Sequence, residues 1–181
     1  MTILISGGAK NGKSDFAQEL AVFLADGSVH YYLATMIPCD EEDHHRIKKH
    51  LESRAGLGFE TIECGRNILS CLDHADANGT FLLDSTTALL MNELFPDPIS
   101  GQMDEDAALR CADDLATFVR LVKHAVIVSD AIYADAARYD SVTETYRRSL
   151  AHIDRTLANV CDTVIEVAFG NLIIHKGELP Q

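Results

Sequence analysis

Three groups of residues have the types and spacing to do chemistry. The first is Gly7-Gly8-Ala9-Lys10-Asn11-Gly12-Lys13-Ser14. It fits G-x-x-x-x-G-K-[ST], the pattern of a loop that wraps a nucleotide's phosphates. Backbone N–H groups turn inward around the anion, and a following helix adds its unpaired N-terminal donors. Lys13, expected on the loop surface, is placed to reach the β- and γ-phosphates, and the Ser14 hydroxyl to ligate Mg²⁺. The second group is Asp84, which closes the apolar run Thr80-Phe81-Leu82-Leu83. A carboxylate at a strand end suits Mg²⁺; it also suits the cap of a helix starting near Ser85. Asp130 closes another such run and is a weaker candidate for metal or for activating an acceptor. The third group is Arg46, His50 and Arg54, spaced by four and so on one helix face, with Ile47 and Leu51 expected inward. A neutral imidazole is a competent nucleophile toward phosphorus, and guanidinium groups beside it stabilise developing charge. Spacing alone favours a solvated helix whose arginines pair with Glu42, Asp43 or Glu52.

These residues need elements to hold them. Thr2 to Ser6 reads as a buried strand, and Phe16, Ala17, Leu20, Phe23 and Leu24 recur at helical spacing after the loop. The first helix ends at Gly27. Val29–Thr35 reads as a strand, 41–55 as a charged helix, 59–64 as a strand and 67–74 as a short helix. Thr80–Asp84 is a strand, 85–94 a helix closed by Pro96-Asp97-Pro98, and 104–123 a long helix. Residues 125–129 form a strand and 130–140 an irregular connection. Ser141-Val142-Thr143-Glu144 reads as a capping box opening the last helix. Thr163–Phe169 and Leu172–His175 read as strands joined by a Gly170-Asn171 hairpin turn. Strands alternating with helices give an α/β fold, a mostly parallel sheet covered on both faces with an antiparallel edge strand at the carboxyl end. No linker or repeat divides the chain, so residues 1–181 are expected to form one domain.

Composition narrows the partners. With 15 Lys+Arg against 28 Asp+Glu, the formal charge is -13. Such a surface repels nucleic acid and anionic membranes, so bound phosphates need a local basic patch. The 5 cysteines are scattered and form no C-x-x-C pair, which points to a reducing cytoplasm rather than a disulfide framework. No signal peptide or membrane span is expected. Asp40 to His45 is acidic and holds adjacent histidines, which point about 100° apart on a helix and read as a solvated helix start rather than a metal site.

With these segments in place, the chain resembles the bifunctional adenosylcobinamide kinase/adenosylcobinamide-phosphate guanylyltransferase family of cobalamin biosynthesis. The opening run to Ser14 is similar to the family's strand followed by G-G-A-R-S-G-K-S. Tyr32-Leu33-Ala34-Thr35 matches Y-I-A-T. Asp40-Glu41-Glu42 with Arg46-Ile47-Lys48-Lys49-His50 and Arg54 matches D-x-E-x-x-x-R-I-x-x-H-x-x-x-R. Leu82-Leu83-Asp84, Thr87 and Asn92 match L-[LV]-D-C-L-T-x-x-x-x-N, with Ser85 in place of Cys. The resemblance implies a sheet like that of recombinase-type (RecA-like) ATPases, ATP or GTP as substrates, Mg²⁺, a corrinoid acceptor and a trimeric assembly. It implies phosphorylation of adenosylcobinamide, then transfer of GMP from GTP through a histidine that lands on His50. The carboxyl-terminal half departs from the pattern. Ser129-Asp130-Ala131-Ile132-Tyr133 stands near the family's Asn-Glu-Val-Gly, and the run F-R-D-x-x-G-x-x-N-Q becomes Tyr146 to Arg155, with only Arg147 kept and Tyr146 a near match. Two alternatives stay open: a single-activity kinase with a different small-molecule acceptor, or a nucleotide-binding protein without turnover.

Overall fold

The computed structural model describes residues 1–97 and 99–181; Pro98, part of the expected helix stop, lies outside them. Seven strands form one sheet: β1 (Thr2–Gly7), β2 (His30–Ala34), β3 (Glu60–Glu63), β4 (Thr80–Asp84), β5 (His124–Val128), β6 (Thr163–Ala168) and β7 (Asn171–Lys176). Their order is β3-β2-β4-β5-β1-β6-β7. Every pairing is parallel except β6 with β7. The helices are α1 (Lys13–Ala25), α2 (Glu41–Ser53), α3 (Thr86–Leu94), α4 (Ala107–Leu121) and α5 (Ser141–Val160), with a 3₁₀ helix at Ile68–Asp73.

Alternation along the strands explains the layers. On β1, Ile3 and Ile5 face α1, where Ala17, Leu20 and Ala21 meet Leu82, Val126 and Ile165. Leu4 faces the opposite side with Leu33, Phe81, Leu83 and Ile127, under α3, α4 and α5. Both faces of the central strands are therefore buried, and their sequences read as continuous apolar runs. Helix α2 is different: it buries none of its own residues. Leu51, expected inward, is exposed. Its carboxyl end is tied to the sheet through Arg54.

Some boundaries differ from the expectation. The cap of α5 is Asp140, whose carboxylate accepts from the N–H groups of Val142 and Thr143. Ser141 is therefore the first helical residue, and Glu144 reaches back to accept from Tyr139 N. Ala168 pairs with Asn171, so the hairpin turn is Phe169-Gly170, one residue earlier than read. Both turn residues have positive φ, 51° and 75°, the geometry that matches the twist of paired strands. Helix α4 starts three residues late because Asp104 is drawn into a turn, its N–H bonded to Leu94 O and its carboxylate to Arg110.

Candidate active site

Parallel strands β1, β4 and β5 end at one edge of the sheet, and the candidate residues collect there. The phosphate loop leaves β1 at Gly7, whose φ is 152°. A side chain at Gly7 would strike the Asn11 amide and Val167 O, both at 2.5 Å. Glycine is required there by space as well as by conformation. Asn11 spans the loop: its amide donates to Val167 O on β6, and its oxygen accepts from Lys13 N. Gly12 caps α1 at φ 87° with no side-chain cap bond. The start of α1 thus faces the loop with backbone donors and its positive dipole end. Gly8, Ala9 and Lys10 complete the rim, all exposed.

Lys13 is buried, not on the loop surface as expected. Its ammonium lies 2.6 Å from the Asp130 carboxylate and donates to Gly8 O at 3.0 Å. Asp130 comes from the end of β5 and is itself held, its N–H donating to the Thr87 hydroxyl. Ala131 N donates to Gly7 O, so the connection after β5 braces the phosphate loop.

Asp84 is at the end of β4. The cap of α3 is Ser85, whose hydroxyl accepts from Ala88 N, so the Asp84 carboxylate is not occupied by capping. Burial pushes its pKa upward, opposed first by nearby His50 and then by Ser14. Asp130 adds to the rise and Lys13 opposes it. Lys13, Ser14, Asp84, Asp130 and His50 therefore share one electrostatic neighbourhood. Tyr32 OH donates to Asp84 at 3.4 Å, and burial followed by that carboxylate raises the phenol's pKa.

The arginines on either side of His50 part company. Arg46 is exposed and paired with Glu42 and Asp43 on the solvent side of α2. Arg54 lies past the helix as its C-cap residue and is buried. Its guanidinium stacks 3.9 Å from the centre of the Tyr32 ring and donates to the Thr61 hydroxyl. It thus clamps the carboxyl end of α2 to β2 and β3. Periodicity revealed His50 and Arg54 but could not show this seat, which lies on strands distant in sequence.

Other residues of the family pattern act as clamps. The Thr35 hydroxyl donates to Ser85 O and accepts from Ser85 N, both at 2.9 Å. The Asn92 amide donates to Thr35 O and Gly65 O. Behind the loop, buried Asp154 accepts from the Ser129 and Tyr133 hydroxyls at 2.9 and 2.7 Å. Burial raises its pKa to about 6. Nothing in the periodicity of α5 marked Asp154 as more than a polar residue.

Residues 3–174 match the family described as cobinamide kinase / cobinamide phosphate guanyltransferase. The chain belongs to that family. It is 30% identical to the bifunctional adenosylcobalamin biosynthesis protein CobU of Salmonella typhimurium, over 94% of this chain and 97% of that one. It is 27% identical to the bifunctional adenosylcobalamin biosynthesis protein CobP of Pseudomonas aeruginosa, over 98% of this chain and 99% of the other. A KaiC-like protein from Pyrococcus horikoshii shares the fold, with TM-score 0.50 and 12% identity over 98% of this chain and 79% of that chain. The member of the family described here is thus an α/β nucleotide-binding transferase whose relatives work in cobalamin biosynthesis. Among the described residues no helix is long and apolar enough to cross a membrane, and no group of three or more His, Cys, Asp or Glu is placed to hold a metal ion.

Proposed function

We propose that the protein phosphorylates the alcohol of adenosylcobinamide with ATP or GTP, then transfers GMP from GTP to the phosphorylated corrinoid. The observation that carries this reading is the family match over residues 3–174; His50, on α2, also lies near enough to Asp84 to act on its carboxylate. The phosphate loop, Gly7 to Ser14, holds the nucleotide's phosphates. Lys13 exchanges part of its contact with Asp130 for the β- and γ-phosphates, stabilising charge that grows on the leaving side. Ser14 and Asp84 supply hard oxygens without a full cage, which suits Mg²⁺, an ion that keeps several waters and shares substrate phosphates. When bound there, Mg²⁺ neutralises phosphate charge.

In the second reaction a neutral His50 nitrogen attacks the α-phosphorus of GTP. A P–N bond forms, the bond to the β-phosphate oxygen breaks, and pyrophosphate leaves. The phosphate of the acceptor then displaces the imidazole and takes GMP. Arg54 positions His50 by fixing the end of α2. Arg46 reaches a bound nucleotide only by giving up Glu42 and Asp43. The chain acts as one nucleotide-binding domain in the cytoplasm, in keeping with five free thiols. A homotrimer is the assembly implied by resemblance; β7 offers exposed Leu172, Ile173 and Ile174 for subunit contact.

Mass spectrometry after incubation with GTP and Mg²⁺ tests this. One GMP should be gained with release of pyrophosphate, in a bond labile to acid and stable to alkali. His50→Ala should abolish loading and spare phosphorylation of adenosylcobinamide. Loading that survives His50→Ala moves the nucleophile elsewhere. Kinase turnover without loading of the wild type leaves a single-activity kinase.

A further inference from the structure

Outside the phosphate-loop and His50 residues assigned above lies a cleft of about 490 Å³ between α3, the 130–140 connection and the first turns of α5. That volume is within the roughly 300–1,000 Å³ of small-molecule sites. Its walls are mainly apolar and aromatic: Met91, Phe95, Ile132, Tyr139, Val142 and Tyr146.

The cleft touches the chemistry through one threonine. Tyr146 OH donates to Thr87 O at 3.0 Å, and the Thr87 hydroxyl accepts from Asp130 N at 3.2 Å. Ile132, another wall residue, donates its N–H to Asp130 O. The cleft wall therefore adjoins the backbone of Asp130, the residue whose carboxylate holds Lys13. Arg147 is also in the wall, and its donors are spent on the protein. Nε donates to Ile132 O, Nη1 to Ala137 O and Glu144, and Nη2 to the Asp135 carbonyl and carboxylate. Its guanidinium also lies 4.7 Å from the Tyr139 ring centre. A guanidinium has five N–H groups, so none is left for a ligand phosphate. The charged groups lining the cleft are Arg147 and Asp135, which pair with each other, and Glu144 holds the same guanidinium.

We propose that this cleft seats one apolar face of the acceptor in its unphosphorylated form, an uncharged or cationic amphipathic alcohol larger than the cleft, whose hydroxyl extends past Thr87 toward the nucleotide at Lys13. Apolar walls take that face, and with every Arg147 donor already bonded its guanidinium is not free to hold a phosphate. This assignment rests on the kinase reading above.

The test fills the cleft from two helices. Met91 on α3 and Val142 on α5 are 42% and 49% exposed, so Met91→Trp and Val142→Trp leave the core intact. With adenosylcobinamide as acceptor and ATP as donor, each should raise the acceptor KM at least about tenfold, the scale of 1.4 kcal/mol. The ATP KM and the loading of GMP on His50 should not change. Leu121→Trp, exposed on α4, should change nothing. An unchanged acceptor KM in both cleft variants, with normal wild-type turnover, overturns the cleft and leaves the functional reading standing. A wild type that neither binds nor phosphorylates adenosylcobinamide overturns the reading and the cleft together.

Discussion

Lys13 and Asp84 have opposite problems, one a buried cation and the other a carboxylate losing water. Lys13 is neutralised by Asp130. Asp84 receives only a long bond from Tyr32 and a share of Ser14 and His50. Burying a charge without full pairing costs stability, and such residues collect where a ligand completes them. Asp84→Asn keeps the size and removes the charge. It should raise the Mg²⁺ needed for half-maximal turnover at least severalfold and leave nucleotide binding in EDTA close to wild type. An unchanged Mg²⁺ requirement would remove Asp84 from the metal site. The residue identities were legible in sequence because the loop and the strand-end acid are local patterns. The Lys13–Asp130 pair was not, since it joins positions 117 apart only after β1 and β5 align. Asp130 was legible only as a strand-end acid.

Helix α2 carries His50, yet its stability owes little to burial. Asp40 caps its start, accepting from Asp43 N, and acidic Glu41, Glu42 and Asp43 suit the positive end of its dipole. Its other end depends on Arg54 over Tyr32. A guanidinium–aromatic contact is worth roughly 0.5–2 kcal/mol, and a Lys ammonium cannot stack as a plane. Arg54→Lys should therefore speed hydrogen exchange over residues 41–53 and slow GMP loading on His50 severalfold, with the rest of the sheet unchanged. Unaltered exchange and loading would show that α2 is fixed by something else. The helix itself was legible from its charges and Gly56. Its lack of a buried face was not, because Ile47 and Leu51 have the spacing of a packed stripe while the chain supplies no partner for Leu51. Turn chemistry misled in a similar way at the hairpin: Gly170 fits either of two registers, and the pairing of Ala168 with Asn171 decides between them.

At the scale of the molecule, one buried acid sets a pH dependence. Asp154 titrates near pH 6 in the folded state, against about 3.9 in an unfolded chain. Between those values the folded state holds the extra proton. Asp154 therefore supports stability fully below about pH 4, and that support is lost as pH rises through 6. One of its oxygens is buried without a partner. Asp154→Asn keeps an acceptor for Ser129 and Tyr133 and removes the charge. It should stabilise the protein at pH 7–8 by about 1–3 kcal/mol, the scale of two pKa units, and have little effect near pH 4. Thermal unfolding at both pH values checks this; equal effects would show that Asp154 does not titrate near 6. The sheet order was not readable from local patterns, since it depends on which strands meet at long range. The layers were readable, because apolar runs such as Leu82-Leu83 demand cover on both faces.

The place of β1 between β5 and β6 has a consequence for synthesis. The ribosome delivers the phosphate loop first, yet Asn11 is anchored to Val167, 156 residues later. At about 5–20 residues per second, the opening strand waits roughly 8–30 s for that partner. Ile3, Leu4 and Ile5 lack β5 until His124–Val128 is made and β6 until Thr163–Ala168 is made, and such unpaired apolar strands are prone to aggregate. A nascent chain stopped at residue 160 should therefore expose its amino terminus to protease and fail to retain nucleotide, although every residue of the loop has already been made.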